Sequence, residues 1–264
     1  MYPRYRLGSV VAAAVLVAVA TACTGSREDR APATGRAGIT STAPAAAAKG
    51  KAAAKGAGTA SAAKALSTRF EGSSSALPAR LAAEMRGTTW QPGCPVPLRD
   101  LRLLTLRYWG FDGKVHEGPM VVNRAVAGQV ISVFGRLFQA RFPIQQLHLA
   151  VQYIPGEDDP NDTRDYTGSF NCRPVVTAHG ARSNWSQHAY GLAIDINPIQ
   201  NPYVASDGYV RNNHARRYRD RSLRRTGMIH GGDAVVRAFA DAGWGWGGSW
   251  SGNKDYMHFS LTGR

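Results

Sequence analysis

The sequence lacks several patterns from which a function is commonly predicted. It contains no HExxH motif and no paired CxxC motif, so the general sequence patterns for zinc sites are absent. Its uninterrupted apolar run from Val10 to Ala20 is too short for a comfortable transmembrane helix. No G-x-S-x-G pattern surrounds Ser186, so this serine is not expected to act as a nucleophile.

Acidic residues are also scarce. The chain has 18 of them against 32 lysines and arginines, for a formal net charge of +14. The excess is either an ordinary solvated basic surface or, in an exported protein, a surface expected to attract anionic wall polymers and phospholipid head groups. No nucleic-acid partner is expected, because the chain is predicted to be exported and its basic cluster lacks an aromatic stacking platform. That cluster comprises Arg211, Arg216, Arg217, Arg219, Arg221, Arg224 and Arg225.

The N-terminus has the organisation of a secretory signal peptide. Arg4 and Arg6 precede the apolar run, and small residues follow it up to Cys23. A cysteine directly after small residues resembles a bacterial lipobox, in which that cysteine is lipidated and becomes the mature N-terminus. We therefore predict a lipoprotein signal peptide over residues 1–22, with cleavage nearby and release of the protein as the alternative. Either way the protein is expected outside the cytoplasm, on the outer face of the cytoplasmic membrane or in the cell wall.

Residues 23–85 are predicted to form a disordered tether. They are mainly alanine, glycine, serine, threonine, lysine and proline, and Phe70 is their only aromatic residue. Such a composition buries too little apolar surface to offset the entropy lost on ordering. The remaining residues, 86–264, have the length of a single folded domain.

Cys94 and Cys172 are the two cysteines that remain if Cys23 carries a lipid. Because an exported protein meets an oxidising compartment, we predict a disulfide between them. Two unpaired buried thiols are the alternative.

The domain is predicted to be α+β, with helices packed on a small, mainly antiparallel sheet. Apolar residues at helical spacing begin near Val126 and stop before Pro143, and Asn123 is the predicted N-cap of that helix. Asp233 is the predicted N-cap of a later helix. The predicted strands are Leu101–Trp109, followed by a Gly-Phe-Asp-Gly turn, then Ile144–Tyr153, a strand carrying Asp195, and Met257–Leu261.

A histidine and an aspartate lie close together in the segment 183–198. Leu192, Ile194 and Ile196 alternate with more polar positions, which indicates a strand with Asp195 on the face opposite the core. Gly191 allows the chain to bend and bring His188 back over Asp195. An imidazole and a carboxylate at one point are two ligands of a zinc site, whereas a hydrogen-bonded structural histidine is the alternative.

The pattern Ser186-x-His188-x-x-Gly191-x-Ala193-x-Asp195, with a later Asp255-x-x-His258, resembles the signature of the zinc D-alanyl-D-alanine metallopeptidases. That family includes VanY-type carboxypeptidases and endolysin L-alanyl-D-glutamate peptidases, and it shares its fold with the hedgehog signalling domain. The resemblance extends over roughly the last two-thirds of the chain. It implies a hedgehog-like α+β fold that carries a zinc site.

The resemblance also implies a role for each matching residue. His188, Asp195 and His258 would hold Zn²⁺ and leave a fourth position open, as a catalytic zinc requires. Asp255 would be the catalytic acid–base, although an aspartate in a Gly-Asn-Lys-Asp run is also a common turn residue. Arg173 would bind the substrate carbonyl oxygen or a substrate carboxylate, with a surface arginine as the alternative. Ser186 would orient the substrate or the His188 loop.

The function that these roles imply is zinc-dependent hydrolysis of the stem peptide of bacterial peptidoglycan. The protein is expected to be a monomer. A D-Ala-D-Ala carboxypeptidase requires a pocket for a free carboxylate, and an L-Ala-D-Glu endopeptidase requires an open groove. A wall-binding module with a silent zinc site is the non-enzymatic alternative.

Overall fold

The computed structural model describes residues 67–152, 160–177 and 180–264. The predicted signal peptide, Cys23 and most of the predicted tether lie outside these described residues. No helix in the described part of the chain is both long and apolar enough to cross a membrane.

The described residues form short strands and three α-helices, and all but one of the strand pairs are antiparallel. This confirms the predicted α+β class. In chain order the elements are β1 (Gly72–Ala76), α1 (Ala79–Met85), β2 (Leu101–Trp109), β3 (Val115–Asn123), α2 (Ala127–Gln139), β4 (Gln146–Leu147), β5 (Tyr166–Thr167), β6 (Pro174–Thr177), β7 (Gly180–Trp185), β8 (Ala193–Asp195), β9 (Tyr203–Val204), α3 (Ala234–Asp241), β10 (Gly245–Trp246), β11 (Lys254–Asp255) and β12 (His258–Ser260).

The first sheet has the order β1-β2-β3, and α2 packs against it. The predicted strand Leu101–Trp109 and the turn after it are confirmed as β2 and the β2–β3 connection. The predicted helix is also confirmed, and its buried face is Ala127, Val130, Val133, Phe134, Leu137 and Phe138. All of these side chains except Phe138 join residues of β2, β3 and α3 in the main core.

Asn123 is not the N-cap of α2, as had been predicted. The residue before the helix is Val126, which makes no side-chain cap. Asn123 Oδ1 instead accepts a hydrogen bond from the Ala125 amide, and its Nδ2 donates to the Tyr190 carbonyl at 3.1 Å. The asparagine therefore ties the end of β3 to the segment that carries His188.

The predicted strand Ile144–Tyr153 is mostly wrong. Among its described residues, 144–152, only β4 is a strand, and a short 3-10 helix, Ala150–Gln152, follows. The apolar residues do not share one sheet face: Ile144 and Leu147 enter the main core, whereas Leu149 and Val151 pack on a second cluster with Leu81 and Phe170. The alternation of apolar and polar residues in the sequence does not show which of these two clusters each apolar side chain joins.

The predicted tether extends too far toward the C-terminus. Residues 67–85 belong to the folded unit, because β1 pairs with β2 along its whole length and α1 buries Leu81 and Met85. Every side chain of β1 is exposed, so this serine-rich edge strand carries no hydrophobic pattern. Its backbone hydrogen bonds to β2 are what order it.

The disulfide between Cys94 and Cys172 is confirmed, with a Cα–Cα distance of 6.0 Å. It closes a sequence separation of 78 residues. A loop of that length contributes roughly 4 kcal/mol in the chain-entropy treatment. The bridge joins the segment after α1 to the start of β6.

The second sheet has the order β10-β12-β8. Asp233 caps α3 as predicted, since its side chain accepts a hydrogen bond from the Val236 amide. The predicted last strand, Met257–Leu261, is shorter than expected and forms β12.

A long irregular connection between β9 and α3 is held by polar side chains. Asn201 donates to the Gly227 carbonyl at 2.8 Å and accepts from the Ile229 amide at 2.7 Å. Arg221 donates to the carbonyls of Gln200, Tyr218 and Ile229, and it lies 4.4 Å from the centre of the Tyr256 ring. Arg221 therefore differs from the exposed arginines of the predicted basic cluster, because it is a structural brace.

We expect a chain that starts at residue 67 to unfold at a higher denaturant concentration than one that starts at residue 90. The shorter chain loses β1 and the buried Leu81 and Met85, and each lost core side chain costs about 2–5 kcal/mol. Urea unfolding of the two fragments measures the difference. Coincident unfolding curves would show that residues 67–89 add no stability.

Asp165 generates a second prediction. Its side chain is buried; Oδ1 accepts from the Ile199 amide at 2.9 Å, while Oδ2 has no hydrogen-bond partner. Burial raises the pKa of Asp165 from its usual 3.8 to about 6, against the opposing hydrogen bonds of Ile199 and Gln200. The folded-state pKa lies above the unfolded one, so the protonated carboxyl group of Asp165 contributes to the stability of the wild-type protein. This contribution is lost as the pH rises from about 4 to above 6.

Asp165→Asn removes this ionisation and keeps an oxygen for the Ile199 amide. The variant should therefore gain stability relative to wild type between pH 4 and pH 8, by about 2–3 kcal/mol. Urea unfolding of both proteins at the two pH values measures this gain. A difference between variant and wild type that is independent of pH would contradict the prediction.

Candidate metal centre

His188 is presented by a 3-10 helix, Gln187–Tyr190. Ser186 caps this helix, and its hydroxyl accepts a hydrogen bond from the His188 amide at 3.3 Å. Gly191 ends the helix in the left-handed region, with φ of 65°. A Cβ at this glycine would lie 2.6 Å from the Asn123 backbone nitrogen, so a side chain is excluded by contact as well as by backbone conformation.

Asp195 and His258 lie directly opposite each other on β8 and β12. Residues paired in this way on antiparallel strands project from the same face of the sheet. The bend at Gly191 adds His188 to that face, as predicted. The structure therefore brings together the three residues that were expected to hold a metal.

The donor atoms of the three side chains converge. His188 Nε2 lies 3.1 Å from Asp195 Oδ2, and His258 Nδ1 lies 3.0 Å from Asp195 Oδ1. One ligand atom from each residue lies within 4.8 Å of the other two. Both histidines are buried, while the Asp195 side chain keeps 22% of its surface exposed. The group is thus largely enclosed by protein, and part of the Asp195 carboxylate is exposed to solvent.

The orientation of His188 is fixed from behind. Its Nδ1 donates to the Ser169 carbonyl at 2.7 Å, which turns Nε2 toward Asp195. The Ser169 hydroxyl in turn donates at 2.6 Å to the carbonyl of Ala193, the first residue of β8. Sequence reasoning missed Ser169, because a main-chain carbonyl leaves no signature in the residue type.

The electrostatics of the group favour a cation. Burial raises the pKa of Asp195, but the charges and hydrogen bonds of His188 and His258 outweigh burial and hold it well below its ordinary value. Burial lowers the pKa of His258, but the hydrogen bond and the charge of Asp195 outweigh burial and raise it. An ionised carboxylate between two imidazoles offers lone pairs that bind either protons or a metal ion. A divalent metal ion can therefore replace the protons that the three side chains share.

The donor set fits a transition metal. Two imidazole nitrogens and one carboxylate oxygen are ligands that zinc accepts, and three protein ligands leave a position open for chemistry. Within the described part of the chain, this is the one group of histidine, cysteine or acidic residues that could hold a metal ion.

Asp255 lies beside this group, on β11. Its Oδ1 is buried and has no hydrogen-bond partner. Burial raises the pKa of Asp255 to about 7; the charge of His258 lowers it, that of Asp195 raises it and that of Arg173 lowers it. The carboxyl group therefore interacts electrostatically with two of the three ligand-type residues without being one of them.

Arg173 lies at the start of β6, half-buried, where Nη1 donates to the Pro174 carbonyl at 3.3 Å. Its backbone carbonyl accepts from the Ser186 amide at 3.1 Å, which ties it to the His188 helix. The neighbouring Cys172 is held by the disulfide. Because its charge acts on Asp255, Arg173 lies within electrostatic reach of the site.

A buried histidine–aspartate–histidine group with an adjacent carboxyl group and a nearby arginine is typical of metal-dependent hydrolases. A family model described as D-alanyl-D-alanine carboxypeptidase matches residues 179–261. This match supports the zinc D-alanyl-D-alanine peptidase family that the signature resembles, and it includes every ligand-type residue and Asp255 but not Arg173. No curated protein and no solved structure matches the chain significantly.

Removal of the central carboxylate should abolish metal binding. We expect Asp195→Ala to bind Zn²⁺ at least about 100-fold more weakly than wild type, because Asp195 contacts both histidines and carries the negative charge of the site. Metal analysis after dialysis against a zinc buffer measures the loss. Asp112→Ala is the matched control, since it removes an exposed carboxylate paired with His116 in the β2–β3 turn. Equal metal content in the two variants would contradict the assignment.

Proposed function

We propose that the domain is a zinc-dependent peptidase that hydrolyses the stem peptide of bacterial peptidoglycan, with the D-Ala-D-Ala carboxypeptidase reaction as the first candidate. The observation that carries the proposal is the convergence of His188, Asp195 and His258 beside a buried Asp255, within the segment that matches a carboxypeptidase family.

The three convergent residues would hold the ion through His188 Nε2, a carboxylate oxygen of Asp195 and His258 Nδ1. These are the atoms that face one another in the structure. Zinc, when bound, supplies a Lewis acid and lowers the pKa of water toward about 7. The Ser169 carbonyl keeps the His188 ring in the tautomer that this arrangement needs.

Asp255 is proposed as the acid–base. A general base must accept a proton from the attacking water and later give it to the leaving amine. The buried Oδ1 of Asp255 is a suitable acceptor, because no protein group occupies it. Burial makes the protonated form of this carboxyl group accessible near neutral pH, which favours the second step.

Arg173 is proposed to bind the substrate. Its guanidinium can stabilise negative charge on the carbonyl oxygen of the cleaved bond, or pair with a carboxylate at the end of the stem peptide. The second use favours the carboxypeptidase reaction, since only that substrate ends in a free carboxylate next to the cleaved bond. An L-Ala-D-Glu endopeptidase is the alternative within the same family.

Ser186 supports the site from its position at the start of the His188 helix. The contact between its hydroxyl and the His188 amide favours the second of its two predicted roles, orientation of the His188 loop. Its other predicted role, contact with the substrate, stays a prediction.

The proposal includes export. The signal-peptide organisation of residues 1–22 supports a lipoprotein anchored through Cys23, and simple secretion is the alternative. The proposed protein is a monomer that acts at the outer face of the cytoplasmic membrane or in the cell wall, and its basic surface favours contact with anionic polymers.

The test is incubation of the chain without residues 1–23 with purified muropeptides, followed by mass spectrometry. Loss of a terminal D-alanine identifies the carboxypeptidase, and cleavage after L-alanine identifies the endopeptidase. Activity should disappear with a zinc chelator and return with Zn²⁺. Intact muropeptides with metal-loaded protein would contradict the peptidase and leave a wall-binding module.

The role of Asp255 has its own prediction. Asp255→Ala should keep its zinc, because the three ligand-type residues are unchanged, and should lose turnover by about 10²–10⁴-fold. Metal analysis and turnover on the same preparation check both halves. Loss of zinc would place Asp255 among the ligands, and full turnover would require another base.

A further inference from the structure

Trp246, Gly247 and Trp250 contact the two short strands that carry Asp255 and His258: Trp246 lies on β10, which pairs with β12, while Gly247 lies against Asp255 and Trp250 against His258. We refer to Trp246–Trp250 as the tryptophan–glycine segment; its middle is a short 3-10 helix, Gly247–Ser249. The proposed reaction does not use these residues, and their contacts with the site need a separate explanation.

Gly247 lies against the main chain of Asp255. A Cβ at position 247 would lie 2.5 Å from the Asp255 carbonyl oxygen and 2.9 Å from the Asp255 Cβ. Contacts this short do not occur between real atoms of these types, so any side chain at position 247 must displace Asp255. The close approach therefore limits where the Asp255 carboxyl group can be.

Trp246 holds the chain between Asp255 and His258. Its Nε1 donates to the Tyr256 carbonyl at 2.9 Å. Its ring lies 5.9 Å from the Tyr256 ring and stacks at 6.4 Å on Phe259, the residue after His258. One indole thus contacts residues next to both functional side chains.

Trp250 lies behind His258. The two ring centroids are 5.6 Å apart, and Trp250 Nε1 donates to the Gly263 carbonyl at 2.6 Å. The Ser260 hydroxyl donates to the Arg264 main-chain oxygen at 2.9 Å and the Gly263 amide donates to the Ser260 carbonyl at 3.1 Å, so residues 260–264 form a turn. The Trp250 indole thus contacts both the buried His258 ring and this turn.

We propose that the tryptophan–glycine segment positions the two functional side chains: Trp246 and Gly247 set the place of Asp255, and Trp250 sets the orientation of the His258 ring. The inference rests on the proposed function for its effect on turnover. A proton acceptor displaced by about 1 Å costs on the order of 10²-fold in rate, and metal ligands need comparable precision.

The rival explanation is that these tryptophans only fill the core. Trp244 separates the two explanations, because it is buried two residues before Trp246 and packs 5.8 Å from the Phe239 ring. Its Nε1 donates to Gln129 Oε1 at 3.4 Å, toward α2 rather than toward the site. Trp244→Phe therefore removes an indole hydrogen bond from the same part of the chain without touching Asp255 or His258.

The experiment compares Trp244→Phe, Trp246→Phe, Gly247→Ala and Trp250→Phe in the chain without residues 1–23. The readouts are the zinc dissociation constant by chelator competition, the visible spectrum of the Co²⁺-loaded protein, kcat and KM on muropeptides, and the melting temperature. The first two readouts report the metal site independently of turnover.

Trp250→Phe should weaken zinc binding by about tenfold and shift the Co²⁺ bands. Trp246→Phe and Gly247→Ala should keep the zinc dissociation constant within about threefold, and lower kcat by about 10–100-fold with little change in KM. Trp244→Phe should lower the melting temperature and leave the other readouts at wild-type values. If Gly247→Ala does not fold, Trp246→Phe carries the test of the Asp255 half.

The inference is overturned if Trp246→Phe and Trp250→Phe change only the melting temperature, or if Trp244→Phe changes zinc binding and kcat as they do. It fails separately from the proposed function. Wild-type protein that cleaves no muropeptide would overturn the peptidase, whereas a Co²⁺ shift confined to Trp250→Phe would still support the positioning of His258.

Discussion

The antiparallel pairing of β8 with β12 places Asp195 opposite His258, and the geometry of the candidate metal centre follows from that register. A slip of one residue would turn one of the two side chains to the other face of the sheet. Phe259 and Ile194, the next pair in the register, are fully buried in the main core and fix it from the opposite face. Hydrophobic packing on one face thus determines the polar geometry on the other.

The rest of the domain can be understood as support for this pair. Gly191 and Ser186 bring His188 to it, and the disulfide at Cys172 anchors the segment of Arg173. The connection before α3 has little regular secondary structure. Asn201 and Arg221 hold it by hydrogen bonds from their side chains to main-chain carbonyls. Such bonds satisfy buried backbone groups that would otherwise destabilise a long loop.

Two of the buried side-chain atoms without a hydrogen-bond partner belong to carboxyl groups, and burial has different consequences for them. Asp255 Oδ1 lies beside the metal-type group, where an available acceptor is useful to a proton-transfer reaction. Asp165, whose Oδ1 accepts from the Ile199 amide, has no role in the proposed reaction, and its unpaired Oδ2 reduces stability once the carboxyl group ionises. Burial of a carboxyl group thus serves the proposed reaction at Asp255 and lowers the stability of the fold at Asp165.

The set His188, Asp195 and His258 was predicted from the resemblance of two separated motifs to a family signature. The sequence by itself also determined β2 with its turn, α2 and the cap at Asp233, because periodicity and capping are local properties. It did not determine that residues 67–85 fold, that Arg221 turns inward, or that the Ser169 carbonyl orients His188. Those features depend on main-chain groups and on neighbours distant in sequence, so no residue pattern encodes them locally. Only the tertiary structure decided them, by setting which backbone groups and which faces of the chain meet.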